Sequence, residues 1–205
     1  MTTEEKIVAK ALEMFNERGI EYVGLRELAT TLGIRVGNIT YYFPTKDDLV
    51  NRLSVDLTAL NSQIVTEEAN LSLYSFLDRF RQVFQNHVTY RCLFLSFVHL
   101  MEQNKVIAER YNGVEKRRYA TLMANLRSLQ TSGYLTSEAD TGFLVSVIAL
   151  TARFWISEAR ISFRHLSPSE QVRHYATMLG KLFVPYATAE GKAEVQRFLD
   201  ELEEK

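Results

Sequence analysis

Between Arg35 and Lys46 the chain gathers groups that hydrogen-bond base edges and phosphates. Arg35 and Asn38 can bond base edges, Val36 can touch a thymine methyl, and Gly37 lets a backbone come close. Tyr41 suits a base or a phosphate. Thr40, Tyr42 and Lys46 suit phosphate, as does Arg26 from the preceding segment. No acidic residue occurs from Leu28 through Lys46. A surface meant to lie against a polyanion needs that absence. One ring of the Tyr41–Tyr42 pair would serve equally as core, and Phe43 reads as core.

These residues need a short helix held across another. The stretch from Leu25 to Phe43 reads as two helices joined at Gly33. Ala29 is small enough for the second helix to cross close by. Gly33 can adopt the positive φ that a tight turn requires. Ile39 points back toward Leu25, Leu28 and Leu32. This spacing predicts a helix-turn-helix, the unit that sets its second helix in a DNA major groove. The bare spacing also fits a helical hairpin with no nucleic-acid role.

Bulk properties set the frame. The chain has 205 residues, 46% hydrophobic and 24% charged, with nine Gly and three Pro. That is ample for a sizeable core and favours an all-α chain over one with long loops. The net charge is -1, so any case for DNA rests on where charges lie. Cys92 is the single cysteine, which excludes an internal disulfide, and its apolar neighbours predict a buried thiol. Met1 leads straight into a polar helix start, so no leader is expected. The most apolar run, Phe143 to Ile156, contains Arg153 and falls short of the roughly 20 residues a bilayer requires. A cytoplasmic protein without membrane contact is expected.

The four histidines show no metal-ligand spacing, and there is no nucleophile elbow, phosphate loop or dinucleotide fingerprint. No catalytic residue, metal or cofactor is therefore assigned.

Along the chain, Thr2 and Glu5 form a capping box for a first helix, which Gly19 ends. A long helix starts at Thr45, with Asp47 and Asp48 in its first turn, and runs on through Leu49, Leu53, Leu57, Leu60 and Ile64. Apolar stripes then recur from Leu73 to Phe84 and from Cys92 to Met101. A polar stretch follows, and a helix from about Gly113 to Thr131. Asp140 opens an apolar helix expected to be buried on most sides. Ser167, Pro168 and Glu170 cap the next one. A final amphipathic helix ends in Glu203, Glu204 and Lys205, a solvated tail. The reading is all-α: a three-helix head over residues 1–50, joined by a long helix to a helical bundle over residues 51–205.

The head and its following helix resemble the tetracycline-repressor (TetR) family of bacterial regulators. The resemblance lies in Gly19, Leu25-Arg26-Glu27-Leu28-Ala29, Leu32-Gly33-Ile34, Gly37-Asn38-Ile39-Thr40-Tyr41-Tyr42-Phe43, and Lys46 with Leu49. It covers about the first quarter of the chain. Gly24 stands where a capping Ser or Thr is common, and Thr40 where members often carry a tyrosine that touches phosphate.

That resemblance implies a homodimer, with two recognition helices about 34–36 Å apart on a near-palindromic operator. It also implies a C-terminal domain that dimerises and binds an unknown small-molecule effector, most commonly in a repressor. Candidate pocket residues are Phe80, Phe84, Phe97, His99, Met101, Tyr119, Met123, Arg153 and Phe154. Aromatic residues at helical spacing also suit plain core. His99 and Arg153 are polar groups on apolar faces and need partners: His99 would be a satisfied core histidine or a ligand contact, and Arg153 could pair with Asp140 or Glu158 or meet an anionic effector. For the dimer interface, Trp155, Tyr175, Ala176, Leu179, Gly180 and Phe183 supply large apolar groups and a close-approach face, or else fill the monomer core. A helical adaptor that binds only protein is the alternative to a DNA-binding regulator.

Overall fold

The computed structural model describes residues 1–68 and 70–204. Lys205, read above as part of the tail, lies outside them. Among the described residues eleven α-helices follow in order. They are α1 (Thr3–Arg18), α2 (Leu25–Leu32), α3 (Val36–Tyr42), α4 (Lys46–Ile64), α5 (Leu73–Thr89) and α6 (Arg91–Leu95). Then come α7 (Phe97–Gln103), α8 (Lys105–Thr131), α9 (Thr141–Ser162), α10 (Pro168–Phe183) and α11 (Ala189–Glu203).

Side-chain caps set most of the helix starts. Thr2 and Glu5 form the expected reciprocal box on α1, and Ser167 and Glu170 form one on α10. Asp140 accepts the Phe143 N–H at the head of α9. Thr45 lies just outside α4: its N–H donates to Asp48 Oδ2 (2.9 Å) and its Oγ1 accepts from Asp48 N (3.2 Å). Two expectations change. The stripe from Cys92 to Met101 breaks at Ser96 into α6 and α7. The polar stretch after it is helical, because Asn104 Oδ1 accepts from Ile107 N (3.0 Å) and caps α8 at its start. Lys105 to Tyr111 are mostly good helix formers. They outweigh the roughly 1 kcal/mol that Gly113 costs inside a helix.

The chain packs as two compact units, residues 1–60 with 89–113, and residues 61–88 with 114–205. The division falls within α4, α5 and α8, each of which contributes to both.

In the first unit, Ile7, Ala11, Met14 and Phe15 of α1 pack with Leu28, Ala29, Ile39 and Phe43. Leu49, Val50, Leu53 and Leu57 of α4 join the same core, as do Cys92, Leu93, Leu100 and Ile107. Each such side chain contributes about 1.5–3 kcal/mol on burial, so the head gains much from helices distant in sequence. Asn16 pins the two parts together. Its amide donates to Thr89 O (2.7 Å) and its Oδ1 accepts from Cys92 N (3.0 Å). The Cys92 thiol is buried as expected, and burial pushes it up to about 12.

The second unit is built on aromatic contacts. Phe76 lies against Phe80 (5.1 Å between centroids) and Phe183 (5.6 Å). Trp155 lies against Phe84 (5.1 Å) and Tyr175 (5.2 Å). Gly180 allows α10 to approach α11, because a Cβ there would stand 3.1 Å from Leu199 Cδ2. Buried in this unit, His87 Nδ1 accepts from Trp155 Nε1 (3.1 Å), and its Nε2 faces the Asn61 amide (3.3 Å). An indole N–H can only donate, so Nδ1 is the acceptor of the pair with Trp155.

Candidate nucleic-acid interface

The helix-turn-helix forms as the spacing predicts. Gly33 ends α2 at φ 66° and ψ 28°, and its N–H and that of Ile34 close the turn onto α2 carbonyls. Ile39 is fully buried, over Leu28 and Ala29. That leaves the rest of α3 outward. Arg35, Val36, Gly37, Asn38, Thr40, Tyr41 and Tyr42 are all exposed, as is Arg26 on α2. Phe43 is core, while Tyr41 and Tyr42 are not; their rings meet edge to face at 5.0 Å. This contact braces both hydroxyls on the outer surface.

Arg35 precedes α3 as its N-cap residue and makes no ion pair among the described residues. The Asn38 side chain has no intramolecular hydrogen bond among them either. Thr40 Oγ1 reaches back to Gly37 O at 3.4 Å. A Cβ at Gly37 would meet nothing within 4 Å. The protein's own packing therefore does not require glycine there, whereas close approach to a partner would. The acid-free stretch thus forms one outward face carrying a guanidinium, an amide and three hydroxyls.

Lys46 departs from that pattern. It is half-buried, and its Nζ donates to the carbonyls of Ile20 (2.9 Å) and Glu21 (3.4 Å). The residue read as a phosphate contact is also a latch between the start of α4 and the loop after α1.

Two family models match this chain. Bacterial regulatory proteins of the tetR family match residues 7–53, and a bacterial transcriptional repressor model matches residues 58–195. The chain belongs to the TetR family. A TetR-family transcriptional regulator from Marinobacter aquaeolei VT8 superposes with a TM-score of 0.89 at 19% identity, covering 98% of this chain and 99% of that one. The regulator MbdR from Azoarcus sp. CIB superposes at 0.68 with 19% identity, over 87% of this chain and 97% of its own. SmeT, solved as a triclosan complex, superposes at 0.66 with 14% identity, over 92% and 93%. In sequence, a probable HTH-type transcriptional regulator of Bacillus subtilis, YttP, is 26% identical over 92 residues. That match spans 44% of this chain and 44% of YttP. As a TetR-family transcriptional regulator the protein binds DNA and is not an enzyme.

Within this TetR-family chain the other assigned residues scatter. Of the pocket candidates, Phe97, His99 and Met101 belong to the first unit and the other six to the second. Phe80 and Phe84 are core, while Tyr119 and Phe154 are exposed. His99 is exposed, so it needs no buried partner. Arg153 pairs with Glu115 (2.7 Å), a residue more than thirty positions away. The buried histidine is His87, which no local pattern singles out.

The residues assigned to a dimer interface lie inside the chain's own core. Trp155, Tyr175, Ala176, Leu179, Gly180 and Phe183 are all buried within the monomer. The small-residue face of α10 is occupied by the chain's own α11. Nor is α9 buried on most sides. Its Leu144, Ile148 and Trp155 side is core, while Phe143, Leu150, Phe154 and Ile161 are exposed, as is Met178 on α10. By length and composition alone, α9 is apolar enough to cross a bilayer.

Proposed function

We propose that this TetR-family regulator acts as a homodimeric repressor on a near-palindromic operator and is released by a small-molecule effector. The observation that carries the reading is the outward face of α3, where Arg35, Asn38, Tyr41 and Tyr42 are exposed with no carboxylate among them. Arg35 and Asn38 read base edges, with Val36 on a thymine methyl and Gly37 admitting close approach. Tyr41 serves either role. Arg26, Thr40, Tyr42 and Lys46 hold phosphates and set the register. Residues 1–50 are the reading head, and residues 51–205 bind the effector and dimerise.

A second copy covers the apolar stripe of Phe143, Leu150, Phe154 and Ile161 on α9. Their spacing follows one face of a helix, and an isologous contact of that face with itself gives the two-fold axis a palindrome requires. This reading also accounts for an apolar α9 without a membrane, in a protein that works in the cytoplasm on DNA.

Release follows if the effector binds the DNA-competent and incompetent states with different affinity. The triclosan complex of SmeT supports small-molecule control in a related fold. Here α4 runs without interruption from the head into the second unit, a direct route for a shift.

The test is a gel shift with DNA from upstream of the protein's own gene, across a salt series. A sequence-selective, salt-sensitive shift that forms as two protomers per site is expected. A protein-only adaptor would give no such shift, and that result removes the reading.

A further inference from the structure

The second unit carries a cavity of about 340 Å³ between α5, α10 and α11. Two guanidinium groups line it, Arg81 and Arg173, with Gln85 and the hydroxyl-bearing Ser169 beside them. Its apolar wall includes Val172 and Leu202, both buried. No carboxylate lines it among the described residues.

The hydrogen-bonding of the two arginines points to what is missing. Arg81 donates from Nε to Asp78 Oδ1 (2.6 Å), and Asp78 Oδ2 is taken by Gln82 (2.8 Å). Both Nη groups of Arg81 make no hydrogen bond among the described residues. Arg173 is half-buried and makes no hydrogen bond or ion pair among them. The carboxylate beside it, Glu170, is committed to the α10 cap through Ser167 N (2.7 Å). The positive end of the α10 dipole adds to the same field. A guanidinium presents a fork that matches a carboxylate in two parallel bonds. Two of them lining one cavity with buried aliphatic groups suit a ligand that is charged at one end and apolar at the other.

We propose that this cavity binds a small organic carboxylate with an apolar body. The carboxylate bridges the Arg81 Nη groups and the Arg173 guanidinium, and the body lies on Val172 and Leu202. An inorganic anion would satisfy the arginines and leave that wall solvated. A neutral analogue would fill the wall but offer no charge to the Arg173 guanidinium or to the Nη groups of Arg81, which Asp78 engages only through Nε. The site lies wholly within the second unit, and its binding is independent of whether the head reads DNA.

The test is titration calorimetry on the full chain without DNA, using phenylacetate, phenylacetamide and inorganic phosphate as probes. Phenylacetate is expected to bind saturably, one per chain, with the amide and phosphate each at least tenfold weaker. Arg173→Met and Arg81→Met are each expected to lose at least tenfold for phenylacetate with an unchanged melting temperature. The acid–amide comparison is made on the parent chain, so it stands however the variants fold. Absence of saturable phenylacetate binding overturns the proposal. So does an amide or phosphate that binds as tightly as the acid, or an Arg173→Met variant that melts normally and binds as the parent does.

Discussion

Lys46 Nζ donates to the main-chain carbonyl of Ile20 at 2.9 Å and so ties the first turn of α4 to the loop between α1 and α2. Its half-exposed position leaves room for a phosphate on the third N–H. Lys46→Met is therefore expected to act twice. It should lower stability by about 1 kcal/mol, below the usual worth of a charged hydrogen bond because solvent screens it. It should also weaken operator and random DNA alike, and reduce the salt slope by about one counterion. Thermal melting and a salt series on both DNAs check this. An unchanged melting temperature removes the latch; a loss confined to operator removes the phosphate role.

Asn38 makes the opposite prediction. Its side chain is exposed and has no partner among the described residues, so Asn38→Ala should leave the melting temperature unchanged. The loss should appear as reduced preference for operator over random DNA, about 1–3 kcal/mol for one well-formed base contact. Competition binding measures the ratio directly. Equal weakening on both sequences would reassign Asn38 to the backbone.

The difference between these two residues shows what the sequence displays. Local geometry was readable: Gly33 needed a positive φ, Ile39 had to face Leu28, and Thr2, Asp140 and Ser167 announced helix starts. The polar face of α3 follows once Ile39 is placed, since one buried residue fixes the rotation of a short helix. Distant pairings were not readable. Nothing near Lys46 indicates that Ile20 lies beneath it, and nothing near Arg153 points to Glu115. The α10 face with Ala176 and Gly180 correctly signalled close helix packing, but spacing cannot say whose helix arrives. The chain's own α11 took it, and the outward stripe of α9 stayed open.

That stripe carries the next prediction. Leu150 and Ile161 are 57% and 79% exposed in the monomer, so Leu150→Glu and Ile161→Glu should leave the melting of an isolated protomer little changed. Sedimentation should show them as monomers, with operator affinity falling by orders of magnitude because both half-sites must be held together. Trp155→Ala is the contrast. It removes a buried ring and should cost about 3–5 kcal/mol of stability. If Leu150→Glu and Ile161→Glu both remain dimeric, the two-fold contact lies elsewhere.

His87 should make the protein sensitive to mild acid. The ring is buried in the second unit, and burial, helped by the Arg118 charge, holds its pKa at about 3 against an ordinary 6.5. Below pH 6.5 the unfolded chain takes up a proton that the folded chain refuses, so the unfolded state binds more protons and stability falls as pH falls. The contribution is complete above about 6.5. It declines by up to about 1.4 kcal/mol per pH unit toward 3, and below that both states are protonated and nothing further is lost. His87→Gln retains an acceptor for Trp155 Nε1 and has no proton to gain. It should therefore be less stable than the parent at pH 7.5 through imperfect packing, yet lose stability more slowly between pH 6.5 and 4.5. Urea unfolding at several pH values gives both slopes. Parallel slopes for parent and variant would mean that the ring takes up its proton as readily in the folded protein as in the unfolded chain.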